Sequence, residues 1–227
     1  MKKNRPKISI ILPVYNDEKY IKESLDSILN QTFNDFELII INDNSKDDTM
    51  KIIKNYTKIE SKIKIINNKK NIGVYRSINK GLKKAKGNYI ARMDSDDICY
   101  KNRLQTQYDF LEKNKDIFLI GTSAFIIDKN GKKIKHLMKY QIFPFLMKII
   151  LKRRNCIIHP SIMFRNTGEL YSEKKNEQDE WLFYKSLLEK KKKIINLPNT
   201  LLKYRINPKG MSAKDGLYEG TKYEKYL

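Results

Sequence analysis

The chain has 227 residues, of which 40% are hydrophobic and 32% charged. That is enough apolar matter to bury a core without disulfide staples, and it excludes an intrinsically disordered chain. Lys and Arg number 47 against 26 Asp and Glu, a formal charge of +21, which favours anionic partners such as nucleic acid, acidic lipid or phosphorylated substrates. The same excess also fits the coding bias of a chain rich in Lys, Asn and Ile throughout. Cys99 and Cys156 are too few and too far apart for a disulfide framework or a zinc module, so a reducing compartment is expected.

Met1-Lys2-Lys3 followed by residues 8–14 has the outline of a signal peptide, but the apolar run is short and holds Pro13. No apolar stretch is long enough to span a bilayer. The expected location is cytoplasmic, with peripheral attachment to the inner face of the cell membrane left open. Ile8-Ser9-Ile10-Ile11-Leu12 reads as a strand buried on both faces. Asn16 or Asp17 can cap the helix that follows, where Ile21, Leu25, Ile28 and Leu29 fall at helical spacing. Leu38-Ile39-Ile40-Ile41 is a second strand ending at Asn42-Asp43-Asn44, and Ser45 with Asp48 has the spacing of a capping box. Residues 63–66 give a third strand, 73–84 a helix and 89–93 a fourth strand.

Alternation of this kind predicts an α/β fold with a mostly parallel central sheet flanked by helices. Ligands of such sheets bind beyond the carboxyl ends of the strands, where strand order reverses. Tyr15-Asn16, Asp43 and Asp94-Ser95-Asp96 therefore fall on one rim. Asp94, Asp96 and Asp97 are crowded enough to repel one another, and a divalent cation (Mg²⁺ or Mn²⁺) would relieve that repulsion. Asp94 and Asp96 are the candidate metal ligands, with Asp97 next to them. The competing account is an acidic turn that caps the next helix.

After about residue 115 the pattern loosens. Residues 117–127 read as a strand, Asp128-Lys129-Asn130-Gly131 as a turn and 132–136 as its hairpin partner. Residues 156–164 read as a further strand, 177–188 as a helix, and 194–197 and 201–204 as two short strands. Ile142, Phe143, Leu146, Ile149 and Ile150 share a helical face with Lys148, Lys152, Arg153 and Arg154 around it. That stretch is either a core helix with a solvated basic end or a surface for anionic membrane. The expected organisation is one domain with two halves, 1–115 and 116–227, the second packing against the first and closing one side of the cleft. The basic residues are scattered, and no docking motif appears, so no specific nucleic-acid partner is expected.

Several segments in order resemble the family 2 glycosyltransferases. They are residues 8–16, Ser27-Ile28-Leu29-Asn30-Gln31-Thr32, Ile41-Asn42-Asp43-Asn44-Ser45, Asn71-Ile72-Gly73, Asn79-Lys80-Gly81, Ala85-Lys86-Gly87 and Asp94-Ser95-Asp96. His159-Pro160-Ser161-Ile162-Met163-Phe164-Arg165 and Asp179-Glu180-Trp181 continue the likeness more loosely, so that it covers about 7–206. The resemblance implies a GT-A (Rossmann-like) fold with a mixed, acceptor-side C-terminal half. It implies an inverting, metal-dependent transfer from a nucleotide-diphosphate sugar, UDP-sugar first, to a saccharide or lipid-linked hydroxyl in surface polysaccharide, lipopolysaccharide or glycolipid synthesis. Pro13, Tyr15, Asn16, Asp43, Asn71, Gly73, Arg76, Asp94 and Ser95 would line the donor, with Arg76 either on phosphate or paired with surface acids. Glu177 or Asp179 would be the general base, and His159 and Trp181 would lie on the acceptor side. The sequence departs from the family pattern at Asn42, where an Asp is common, and around Glu177. The alternatives are a catalytically impaired nucleotide-sugar-binding relative and a basic protein that binds nucleic acid or membrane.

Overall fold

The computed structural model describes residues 5–137, 144–174 and 180–207. Its first half alternates as expected: β1 (Ile8–Val14), α1 (Ile21–Leu29), β2 (Phe36–Asn42), α2 (Thr49–Thr57), β3 (Ile63–Asn67), α3 (Val74–Leu82) and β4 (Tyr89–Arg92). These strands are parallel, in the order β3-β2-β1-β4. Strand order therefore reverses between β1 and β4. Alternate side chains of the strands supply two cores. Ile8, Ile10, Leu12, Leu38 and Ile40 pack with Ile21, Leu25 and Ile28 of α1 on one face. Ile11, Ile39 and Ile41 pack with Tyr75, Ile78 and Leu82 of α3 on the other. Each fully buried Ile or Leu contributes roughly 1.5–3 kcal/mol, which is why the aliphatic runs are strands covered on both sides.

The second half continues the same sheet. It comprises β5 (Ile98–Cys99), α4 (Arg103–Lys113), β6 (Ile117–Ile127), β7 (Lys133–Leu137), α5 (Pro144–Arg153), a 3₁₀ turn (His159–Ser161), β8 (Met163–Arg165), α6 (Glu180–Glu189) and β9 (Lys193–Arg205). β8 is antiparallel to both β4 and β6, β9 runs parallel to β6, and β5 and β7 close on β9 and β6. The sheet is thus parallel at one end and mixed at the other.

Several sequence expectations need correction. The stretch 156–164 is not one strand: Pro160 turns the chain through the 3₁₀ segment before β8 begins. The two short strands after 193 are one thirteen-residue strand. Its ladder to β6 jumps from Leu197 to Thr200, so Pro198 and Asn199 form a bulge where proline has no N–H to give. β5 is too short to show a period; α4 was not expected, although Leu104, Tyr108 and Leu111 fall at helical spacing and pack in the first core. Ser45 and Asp48 make no capping box, since α2 starts at Thr49 without a side-chain cap at Asp48. Neither Asn16 nor Asp17 caps α1 with its side chain; Tyr20 stands at the N-cap and the Asp17 carbonyl accepts from Tyr20 and Ile21. In α5 the buried residues are Met147 and Leu151, whereas Leu146 and Ile149 point outward, and Ile142 and Phe143 lie outside the described residues.

Candidate donor site at the strand ends

The rim above β1, β2 and β4 is held by hydrogen bonds between loops. Asn16 and Asn44 adopt left-handed backbone (φ 50° and 67°), which asparagine tolerates better than most residues. Asn16 N–H donates to Ser45 Oγ (3.0 Å) and Lys46 N–H donates back to Asn16 Oδ1 (2.7 Å). Asp17 N–H donates to Thr49 Oγ1 at 2.8 Å, and Glu18 and Asp47 extend the clasp. Ser45, the expected cap, is thus spent on joining the first loop to the second. Tyr15 projects above this clasp, 45% exposed, and Pro13 is buried in β1 beneath it.

Asp43 is 4% exposed. Its Oδ1 accepts from Asn68 Nδ2 (2.8 Å) and Ile72 N–H (2.9 Å), and its Oδ2 accepts from Gly73 N–H (2.9 Å). Gly73 has φ 90°, a conformation suited to glycine, and Asn71 Oδ1 also accepts from its N–H at 3.2 Å. Asp43 therefore shapes the loop that carries Asn71 and Gly73 into α3.

The acidic segment leaves β4 at the point where strand order reverses. Asp94 Oδ1 accepts from Arg92 Nη2 at 2.5 Å, and its carbonyl accepts from Ser24 Oγ of α1 at 3.1 Å. Ser95 Oγ donates to Asp17 Oδ2 at 2.5 Å. Burial pushes the Asp17 carboxyl up to about 6, with Asp94 and Asp47 adding to the shift and Ser95 opposing it. Burial also pushes Asp96 up to about 7, helped by Asp17 and Asp94 and opposed by Asn207, whose Nδ2 donates to Asp96 Oδ2 at 2.9 Å. Asp97 is 1% exposed and is raised well above the usual carboxylate range by burial, then by Asp96 and Asp94. Its Oδ1 accepts the Arg205 N–H (2.8 Å), which ties the end of β9 to the acidic loop.

Asp94 thus adds to the upward shift of Asp17, and Asp17 and Asp94 both add to that of Asp96, at a partly buried strand end. Arg92 and Arg205 offset part of this negative charge, and the acids that stay raised fit a divalent cation. Among the described residues no three His, Cys, Asp or Glu side chains form a ready-made metal cage. A pair of carboxylates completed by substrate phosphate is the usual arrangement for Mg²⁺.

Cationic and polar struts lie under this rim. Arg103, 2% exposed, donates to the Arg92 carbonyl at 2.6 Å and to Gln107 Oε1 at 3.0 Å, so it supports the segment from below. Arg205 donates to the Asp96 carbonyl (2.7 Å) and to Glu23 Oε2 (2.6 Å). Gln31 Nε2 donates to the Tyr100 carbonyl at 2.9 Å and its Oε1 accepts from Leu104 N–H at 3.0 Å, which docks the end of α1 on the segment beyond Asp97.

The remaining expected residues are placed elsewhere. Arg76 donates to the Glu173 carbonyl at 3.1 Å, away from the acidic cluster. His159 is buried, with Nδ1 2.7 Å from Tyr184 Oη and Nε2 3.1 Å from Tyr171 Oη; burial and Arg92 hold its pKa well below the ordinary value. Both ring nitrogens are engaged inside the core, so it presents no free edge to an acceptor. Trp181 Nε1 donates to the Leu151 carbonyl at 2.6 Å and joins α6 to α5. Glu177 and Asp179 lie outside the described residues. Asp17, Arg92 and Asn207 were not foreseen as members of the site, whereas Arg205 was expected to close over the diphosphate. Asp17 was on the correct loop, but a helix cap accounted for it; Arg92 stands two residues before Asp94 inside a strand, and Asn207 reaches Asp96 from 111 residues away.

Comparison with known proteins identifies the family and the fold. The family model described as "Glycosyl transferase family 2" matches residues 9–170. An O-antigen biosynthesis glycosyltransferase, WbnJ of Escherichia coli, is 39% identical over 225 residues, covering 95% of this chain and 86% of that protein. An uncharacterized glycosyltransferase of Methanocaldococcus jannaschii, MJ1057, is 36% identical over 210 residues, covering 89% and 72%. Among solved structures, S. aureus TarS in complex with UDP-GlcNAc superposes with a TM-score of 0.73 at 24% identity, over 92% of this chain and 60% of that one. The mannosyltransferase PcManGT from Pyrobaculum calidifontis, in complex with GDP-Man and Mn²⁺, gives a TM-score of 0.69 at 15% identity, over 93% and 60%. These two likenesses show the GT-A fold, and this chain spans only part of each longer molecule. By its sequence match and its fold, the chain belongs to glycosyl transferase family 2.

Proposed function

We propose that this glycosyltransferase moves a sugar from a nucleoside-diphosphate donor to a hydroxyl of a saccharide acceptor, with inversion and with the help of a divalent cation. The observation that carries the reading is the convergence of Asp17, Asp94 and Asp96, with Asp17 and Asp96 pushed up to about 6 and about 7, beside the β1/β4 switch point. The complexes of TarS with UDP-GlcNAc and of PcManGT with GDP-Man and Mn²⁺ support a nucleotide sugar and a metal without fixing the base. WbnJ, named for O-antigen biosynthesis, supports an acceptor in surface polysaccharide assembly.

In this scheme the loop held by Asp43, with Tyr15 and Asn71 beside it, borders the nucleoside. Asp96 and Asp94 would hold the cation. When bound, it would stabilise the negative charge that collects on the departing diphosphate. The acceptor oxygen forms a bond to the anomeric carbon as the bond to the β-phosphate oxygen breaks. The electron pair leaves on the nucleoside diphosphate, and the acceptor proton passes to a carboxylate, Glu177 or Asp179. Either base comes from a chain segment different from the one bearing Asp94 and Asp96, as attack from the opposite face requires.

Thermal denaturation with UDP-, GDP- and dTDP-sugars, each with and without Mn²⁺, tests this. A ligand present at a hundred times its Kd stabilises the native state by about 2.7 kcal/mol. One nucleotide class should raise Tm, the rise should need metal, and Asp94→Ala with Asp96→Ala should abolish it. A metal-independent rise that persists in that double variant would defeat the assignment.

A further inference from the structure

We propose that the outer face of α5 is a docking surface for an anionic lipid bilayer. The three side chains Phe145, Leu146 and Ile149 are 72%, 48% and 41% exposed, half of the six large exposed hydrophobics among the described residues. All three stand on this one ten-residue helix. At about 100° per residue, Ile149 lies opposite the midline of the buried pair Met147 and Leu151. Phe145 and Leu146 flank it, and Lys148, Lys152 and Arg153, also exposed, border the same outward arc. A helix serving only the core would turn its apolar residues inward and leave charge outside. This one buries a narrow ridge and exposes a second apolar strip edged with cations.

Charge complementarity selects the occupant. Lys148, Lys152, Arg153 and Arg154, all exposed, stand on α5 or directly after it, and the helix holds no Asp or Glu. A second copy of this face would meet like charge. Nucleic acid would satisfy the cations but leave the aliphatic strip without a partner. A bilayer containing acidic headgroups satisfies both, because the apolar strip enters the interface while Lys and Arg stay at headgroup level. The location suits the chemistry as well. α5 belongs to the half, 116–227, expected to take the acceptor, and Trp181 fastens α6 to it through the Leu151 carbonyl. The surface itself does not depend on the donor chemistry proposed above, and its test reads no turnover.

The experiment is flotation of the full chain with vesicles of phosphatidylcholine alone or of an equal mixture with phosphatidylglycerol, at low and high salt. The protein should float with the mixed vesicles, remain below with the neutral ones, and be released by salt. Lys148→Glu with Lys152→Glu should weaken partitioning by roughly thirty-fold or more, since each basic residue near such a surface strengthens it several-fold. Phe145→Ser with Ile149→Ser should weaken it at unchanged charge. These positions are exposed, and an unchanged Tm confirms that the variants fold. Equal recovery with neutral and anionic vesicles, or wild-type flotation in both double variants, overturns the proposal. So does a dimer in solution that the Phe145 and Ile149 changes dissolve, or binding of RNA that outcompetes the vesicles.

Discussion

Arg92 reaches from the core to the rim: its Nη2 donates to Asp94 Oδ1 at 2.5 Å, from a side chain 3% exposed to one 32% exposed. Its other terminal nitrogen donates to the Met93 carbonyl. A buried cation thereby fixes the orientation of a partly solvated carboxylate.

Arg92→Met is expected to free Asp94 to rotate and rehydrate. Because that carboxylate has access to water, the loss of stability should stay near 1–3 kcal/mol, typical of a stranded polar partner. The kcat/KM for the best donor should fall by about tenfold or more, each decade being worth about 1.4 kcal/mol of transition-state stabilisation. Arg92→Lys keeps the charge but loses the planar fork that spans the Met93 carbonyl and Asp94, and should fall between. Urea denaturation and steady-state kinetics on the three proteins check this, and a Met variant with full turnover would remove Arg92 from the site.

The acidic cluster predicts an inverse dependence of stability on pH. Asp17 and Asp96 titrate near 6 and near 7 in the fold and near 3.9 when unfolded, so the native state binds more protons between those limits. Their contribution is fully present below about 4 and is lost as pH rises through about 6 and about 7. His159 acts in the opposite sense but only near and below its unfolded value of about 6.5, because its folded pKa is depressed. From pH 6.5 to 8 the carboxylates should therefore dominate and Tm should fall. Asp96→Asn should flatten that slope, and Mn²⁺ should raise Tm more at pH 8 than at pH 6.5. Melting curves at four or so pH values, with and without metal, read all three effects.

The sequence made part of this structure legible because strong local signals coincide there. Ile8–Val14 and Phe36–Asn42 are aliphatic runs bounded by polar turns, and such runs have few alternatives to a doubly covered strand. Parallel order then placed Asp43 and Asp94 on one rim. What stayed hidden depends on long-range partners. β5 is two residues long and exists because Ile98 and Cys99 pair with β9 more than a hundred residues later. Ser45 was equally suited to capping α2 and to receiving Asn16, and only the third dimension chooses. His159 has the same sequence neighbours whether it faces a ligand or two buried tyrosines. Arg205 reads in sequence as a residue that could close over the diphosphate, yet in the fold it is 3% exposed and holds the acidic loop from beneath.

Gly87 marks where packing tolerates no side chain. A Cβ there would stand 2.5 Å from Ser9 N and 2.6 Å from the Ile8 carbonyl carbon, both backbone atoms that cannot turn away. Gly87 N–H also donates to Ser9 Oγ at 2.8 Å. Gly87→Ala should cost about 3 kcal/mol or more, at the upper end for single substitutions. Gly168→Ala meets open space at φ 86°, so its cost should be only about 1 kcal/mol from backbone strain. Chemical denaturation of the two variants side by side tests whether close approach or backbone conformation matters more.

Asp43 tests whether a rim carboxylate acts by contact or by architecture. Its two oxygens accept from Asn68, Ile72 and Gly73, and an amide offers only one acceptor oxygen. In Asp43→Asn the oxygen would keep Asn68 and Ile72, leaving the NH₂ facing the Gly73 N–H. Asn71 Oδ1 can retain that N–H, which limits the damage to about 1–2 kcal/mol of stability. Asp43→Ala loses all three contacts and should cost more. Because the same loop leads into α3, nucleotide affinity should weaken in parallel with stability across the two variants. If affinity instead collapses in Asp43→Asn while its denaturation midpoint stays at the wild-type value, Asp43 must meet the nucleoside directly. The loop would then be held by other means.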